Sequence, residues 1–246
     1  MKIFATDNIK GGVGKTTAAV TLASLAAAQG CRTLLVDLDA QGGSSYVLRA
    51  KPKAKTSAAA LLTGDRPVAR ALRSTADERL DVLPADESFR LLDVELSALK
   101  KPSRRLRQVL RPVDDDYALA VLDCPPGLTL LGEAVLDAAD LVLVPIAPSA
   151  LGVRAWEQVA AFTAGLPHPP LLRGFWSMVD RRRRTHTNAV ADTSRPGVYP
   201  IAIPAAADVE RMAERRAPVT AFARTSPAAA AFTQLWARVA EELDLR

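Results

Sequence analysis

Residues 8–17 read NIKGGVGKTT, and their types suit one chemistry, the holding of an anion's oxygens. Gly11, Gly12 and Gly14 let backbone N–H groups approach phosphate with no Cβ in the way, and a helix starting just after them adds the positive end of its dipole. Lys15 suits the outer phosphates of a nucleoside triphosphate and the Thr16 hydroxyl suits Mg2+, with Val13 and Thr17 completing the cradle. The strict pattern G-x-x-x-x-G-K-[ST] is not met, because Ile9 stands where its first glycine belongs, and a second lysine, Lys10, follows at once. A chance glycine turn is the competing reading. An apolar run before the loop and an alanine-rich run after it argue against chance.

Two further stretches supply carboxylates. LLVDLDAQGG puts Asp37 and Asp39 two residues apart at the end of a β-prone run, and LAVLDCPPG puts Asp123 at the end of another. Mg2+ is a hard ion that keeps several waters and is held by one or two carboxylates. One of the three aspartates is alternatively suited to orienting or deprotonating an attacking water. Each alone reads equally well as a turn or helix-capping residue; in company with the glycine loop they point to a nucleotide site.

Short apolar runs alternate with helical stretches along the chain. KIFATDN, RTLLVDLD, RLDVLPA, YALAVLDCPPG and DLVLVPIAP read as buried strands that end in Pro, Gly or Asp, and GFWSMVD and VYPIAIP as the last two. Continuous apolar strands separated by helices predict an α/β fold, a mostly parallel twisted sheet with helices on both faces. In such a sheet ligands bind beyond the carboxyl ends of the strands, where the loop and the aspartates fall. KTTAAVTLASLAAAQG reads as the helix after the loop, with Gly30 as its stop. Near the other end Ser226 and Pro227 open a helix whose apolar face is Phe232, Leu235, Trp236, Val239 and Leu243. That face suits docking onto the sheet better than lying on a membrane, because the polar side is not lysine-rich and carries Glu241, Glu242 and Asp244. Residues 51–75, with Lys51, Lys53 and Lys55, read as the most loop-like part.

The 246 residues, 49% hydrophobic and 24% charged, suit a globular chain of one domain over 1–246. No apolar run reaches the roughly 18 residues of a membrane span, and Met1-Lys2 does not open a secretion signal, so a cytoplasmic location is expected. Cys31 and Cys124 have neither the spacing nor the histidine neighbours of a zinc site, and His168 and His186 read as lone core or surface residues. The net charge of +5 hides a pattern. Residues 51–111 carry 14 basic and 8 acidic side chains, residues 112–172 carry 1 and 8, and residues 173–224 carry 10 and 5. Such blocks are either solvated faces or an oriented field for an anionic partner.

The segments KGGVGKTT, LLVDLDAQGG and VLDCPPG resemble, in order and spacing, the deviant Walker A, switch I and Walker B/switch II segments of the ParA/MinD-type ATPases. DLVLVPIAPSALGVRAWEQV and IPAAADVERMAERRAPVTAFARTSPAAAAF extend the likeness over nearly the whole chain, closer to the ParA-like branch than to MinD. The resemblance implies a P-loop NTPase fold of the SIMIBI type with ATP and Mg2+ as cofactors. It further implies a nucleotide-dependent homodimer in which Lys10 reaches the partner subunit's phosphates, so that Lys10, Lys15 and Asp39 carry catalysis. Asp39 matches the residue that positions the hydrolytic water, and Asp37 and Asp123 match residues near Mg2+. Met178 and Pro204 fall where the family lines its adenine pocket. Hydrolysis is then slow, stimulated by a partner protein, and spent on partitioning or positioning DNA or another cargo. Two departures stand out: Ala40 replaces the family's usual proline, and Ala205 its usual arginine after the IP pair.

The same resemblance implies non-specific DNA binding by displayed basic residues. Arg181, Arg182, Arg183 and Arg184 form an unbroken run, with Arg215 and Arg216 further on. Arginine suits phosphate through its fixed fork of donors, although a solvated face or pairing with nearby acids accounts for the same residues. Two other functions stay open on the sequence: an ATP-switched module that recruits a protein without binding DNA, and a metabolic P-loop ligase or kinase of related fold. No membrane partner is expected.

Overall fold

A computed structural model describes residues 1–52, 57–127, 129–192 and 194–245. Eight strands form one sheet: β1 (Lys2–Thr6), β2 (Thr33–Asp37), β3 (Arg73–Ser74), β4 (Leu80–Leu83), β5 (Leu119–Asp123), β6 (Leu141–Ile146), β7 (Leu171–Val179) and β8 (Val198–Pro204). Their order is β3-β4-β2-β5-β1-β6-β7-β8. Every pairing is parallel except that of β3 with β4.

The strands read as continuous apolar runs because both faces are covered. Along β1, Ile3 and Ala5 enter one core while Phe4 enters the other; along β5, Ala120 and Leu122 face one way and Leu119 and Val121 the other. One core is closed by the helices Leu130–Ala138 and Ala150–Ala164. The opposite core is closed by Lys15–Ala28, which carries the glycine loop, and by Pro227–Glu242. In the latter, Phe232, Leu235, Trp236, Val239 and Leu243 are all buried, as their spacing predicts, and each buried side chain contributes about 1.5–3 kcal/mol. The Ser226 hydroxyl caps this helix by accepting from the Ala229 N–H, and Trp236 donates its indole N–H to Gln29, the residue that caps the end of the Lys15–Ala28 helix.

Three differences from the sequence reading have plain causes. The supposed loop over 51–75 holds a helix at Ala58–Thr63, a 3-10 turn at Val68–Arg70 and β3. Ser57 caps the helix through the Ala60 N–H, Gly64 ends it with φ 85°, and Ala58, Leu61 and Leu62 are buried. A capped alanine–leucine run is a helix start in its own right. Lys53 and Lys55 lie outside the described residues. β3, two residues long, is too short for periodicity to reveal. β7 begins at Leu171, earlier than GFWSMVD implies. Among the described residues no helix is long and apolar enough to cross a membrane. Both cysteines are free.

Candidate functional site

The central strand β1 runs straight into the glycine loop, and the loop is tied down on two sides. The Asn8 amide donates to the Pro145 carbonyl at 2.8 Å and accepts from the Lys10 N–H at 2.9 Å. From β7, the Ser177 hydroxyl donates to the Val13 carbonyl at 2.8 Å. Gly12 and Gly14 have φ of 70° and 99°, a region that costs a residue with a Cβ. A Cβ on Gly14 would stand 2.9 Å from the Ser177 Oγ, whereas Gly11 and Gly12 face open space. Lys15 is the first residue of its helix. Its ammonium donates to the carbonyls of Lys10 at 3.0 Å and Asn8 at 3.3 Å. Burial lowers the Lys15 pKa, while the nearby carboxyls, Asp7 foremost, work against that.

The carboxylates gather under this loop. Asp37 and Asp123 end β2 and β5 and are register partners, both fully buried. Asp37 Oδ2 accepts from the Ser45 N–H at 2.8 Å and the Ser45 hydroxyl at 2.6 Å; Asp123 Oδ2 accepts from the Ser44 hydroxyl at 2.6 Å. Burial pushes Asp37 up to about 6 against those hydrogen bonds. Burial and then the Asp37 charge push Asp123 up to about 7. The second oxygen of Asp123 is buried with no hydrogen-bond partner. That orphaned oxygen, on a carboxyl whose ionised form the Thr16 hydroxyl favours, fits a magnesium site: carboxylate, hydroxyl and room for phosphate and water. Among the described residues no group of three or more His, Cys, Asp or Glu side chains is placed to hold a metal ion.

Asp39 is half-buried, and its Oδ1 accepts from the Gln41 N–H at 2.9 Å. A cleft of about 520 Å³ is lined by Gly11, Gly12, Gly14, Lys15, Thr16, Thr17 and Asp39 at one end and by Met178, Pro204, Ala205 and Met212 at the other. Thus the residues expected at phosphate and at adenine share one cavity. Val13 is buried in the core, and Lys10 is half-buried beside the cleft, its ammonium in no ion pair among the described residues.

Of the basic residues, Arg181, Arg182, Arg183, Arg184 and Arg215 are all exposed. Arg182 grips Asp180 with two bonds at 2.9 and 3.0 Å, holding that carboxyl down to about 2. Arg216 lies over the Tyr46 ring, 4.6 Å from its centre. Arg211 and Arg195 pair with Asp208 and Asp192.

Sequence reasoning passed over Asp7, Asn8, Ser44, Ser45 and Ser177. Asp7 follows β1 inside the quoted KIFATDN, is buried, and is pushed up to about 6 by burial, with the Lys15 charge pulling it down. A carboxylate at a third strand end was the available signal.

A family model described as an AAA domain matches residues 1–166. A ParA family protein of Chlamydia pneumoniae is 34% identical over 186 residues, covering 72% of this chain and 73% of that protein. The chromosome partitioning protein ParA of Caulobacter vibrioides is 38% identical over 149 residues, 59% of this chain and 56% of its own length, so the match spans little more than half of that relative. Among solved structures, a cobyrinic acid a,c-diamide synthase from Mycobacterium smegmatis with bound ADP and magnesium superposes with a TM-score of 0.82 at 26% identity, over 99% of this chain and 96% of that one.

Proposed function

The chain belongs to the ParA family of P-loop ATPases, and from that premise we propose that it binds ATP with Mg2+ in the cleft and hydrolyses it slowly as a face-to-face dimer. In this reading residues 1–246 act as one P-loop unit that holds DNA non-specifically and serves to partition or position DNA or another cargo. The observation that carries it is the convergence of Lys15, Thr16, Asp39, Asp37 and Asp123 at the carboxyl ends of three adjacent strands, with an unpaired Lys10 at the rim.

Each residue then has a physical task. The N–H groups around Gly11, Gly12 and Gly14 and the helix start bind phosphate oxygens. The Lys15 ammonium exchanges its two carbonyl partners for phosphate. Thr16, Asp123 and Asp37 would hold Mg2+, which would supply positive charge against the phosphates. Asp39 keeps one oxygen for the attacking water. Lys10 of one copy stabilises the charge that grows on the other copy's γ-phosphoryl oxygens, as an arginine finger does. Met178 and Pro204 flank the base. Arg181, Arg183, Arg184 and Arg215 offer their guanidinium groups to DNA phosphates.

The test is sizing in solution with ADP, with ATP, and with ATP on an Asp39→Ala background. The expected result is a monomer with ADP and a dimer with ATP that persists in the variant. A chain that stays monomeric under all three conditions sinks the reading. The likeness to the synthase favours a second reading, a metabolic ligase that spends ATP on a small acid. Turnover that needs an added acceptor and ignores duplex DNA would favour it.

A further inference from the structure

Arg49 and Arg216 reach across a gap in the chain and grasp each other's neighbourhoods. Arg49 donates from Nη2 to the Arg215 carbonyl at 3.3 Å and from Nε to the Arg216 carbonyl at 3.5 Å. Arg216 donates from Nε to the Tyr46 carbonyl at 3.0 Å and lays its guanidinium over the Tyr46 ring. Both arginines have positive φ, 58° and 50°. Residues with a Cβ adopt that conformation only where their surroundings impose it.

What the contact grips is the helix Gly43–Val47, which has five residues and no side-chain cap. A single turn has negligible stability of its own. Its inner side carries Ser44 and Ser45, the donors to Asp123 and Asp37. Its outer side carries Tyr46, 54% exposed and lining the cleft. The short helices Ala207–Glu210 and Met212–Arg215 also line the cleft, and Met212–Arg215 packs against the helix Gly43–Val47. The two arginines therefore join the walls of the nucleotide cleft at the point where the helix would otherwise fray.

We infer that Arg49, Tyr46 and Arg216 form a clasp that positions Ser44 and Ser45, and through them the two carboxylates beneath the magnesium position. Arg216 is on this view a positioning residue and not a DNA contact. The inference rests on the reading of the cleft as a magnesium–nucleotide site, and its test separates the two. First, amide hydrogen exchange is followed in the nucleotide-free protein. Arg216→Ala and Tyr46→Ala should speed exchange at Ser45 by about tenfold, since a charge-assisted hydrogen bond and a cation–π contact are lost. Tyr46→Phe, which keeps ring and carbonyl, should leave it protected. Unchanged exchange at Ser45 in Arg216→Ala overturns the clasp whatever the ligand. Second, the affinity of a fluorescent ATP analogue is measured in EDTA and in Mg2+. Wild type and Arg216→Ala should agree within about twofold in EDTA, because Arg216 does not line the cleft and the glycine loop is untouched, while the gain on adding Mg2+ falls by about tenfold in Arg216→Ala but not in Tyr46→Phe. An equal gain in all variants overturns the positioning role. A wild type that binds no nucleotide overturns the cleft reading, and with it that role.

Discussion

Asp37 and Asp123 are register partners at the ends of neighbouring parallel strands, and two consecutive serines, Ser45 and Ser44, each donate to one of them. Among the described residues neither carboxyl is in an ion pair; burial disfavours the ionised form of both, and the Asp37 charge adds to this at Asp123. On the proposed function, a divalent ion near the pair would offset their charge.

Stability should therefore fall as pH rises in the metal-free protein. Asp37 and Asp123 sit near 6 and 7 when folded, against 3.8 as the reference. The folded state holds the extra protons, so their contribution is full below about pH 4 and lost as pH rises through 6–7. Urea midpoints at pH 5 and pH 7.5 should differ less for Asp123→Asn than for wild type, by on the order of 1–3 kcal/mol in the pH-dependent part. Identical pH dependence in the two proteins would refute the assignment.

Lys15→Ala should cost nucleotide affinity by on the order of a hundredfold, because the ammonium already faces the cleft and a charged donor to phosphate is lost. Calorimetric titration with ATP decides it. The circular dichroism spectrum should not change, as the lysine's bonds in the apo protein are to two carbonyls only.

Lys10→Ala should leave ADP binding intact and lower ATP turnover by on the order of a hundredfold or more. A turnover equal to wild type at saturating ATP would remove Lys10 from catalysis.

Gly14→Ala should impair folding and loop geometry together. The new Cβ meets the Ser177 Oγ at 2.9 Å on a backbone with φ 99°, a combination worth on the order of 1–3 kcal/mol. Gly11→Ala, with open space around it, should fold normally and lose phosphate binding alone. Equal urea midpoints for wild type and Gly14→Ala would contradict this.

In duplex binding measured against salt, Arg183→Ala should lower the logarithmic slope by about one unit, since each phosphate contact accounts for about 0.9. Arg216→Ala should not, because its guanidinium lies on Tyr46. A slope unaltered by Arg183→Ala withdraws that arginine from the contact.

How much of this was readable beforehand follows from the range of each interaction. The glycine loop, β2 and β5 with their aspartates, and the buried stripe of the Pro227–Glu242 helix are local patterns of residue type and period, and the structure keeps them where the sequence puts them. Ser44, Ser45 and Ser177 escaped because a serine has no pattern of its own; its value comes from a partner such as Asp123, 79 positions away from Ser44, or Val13, 164 away from Ser177. The run of four arginines looks uniform in sequence and all four are exposed, yet Arg182 is tied to Asp180 by an ion pair. Only the folded chain makes that distinction.

The central place of β1 has a consequence for biosynthesis. The glycine loop is synthesised well before its supports: the strand it grows from is gripped by β5 and β6, and Asn8 finds the Pro145 carbonyl only 137 residues later. Contacts of such sequence separation form late. A nascent chain halted before residue 119 should therefore ignore nucleotide, and competence should switch on only once β5 and β6 have emerged.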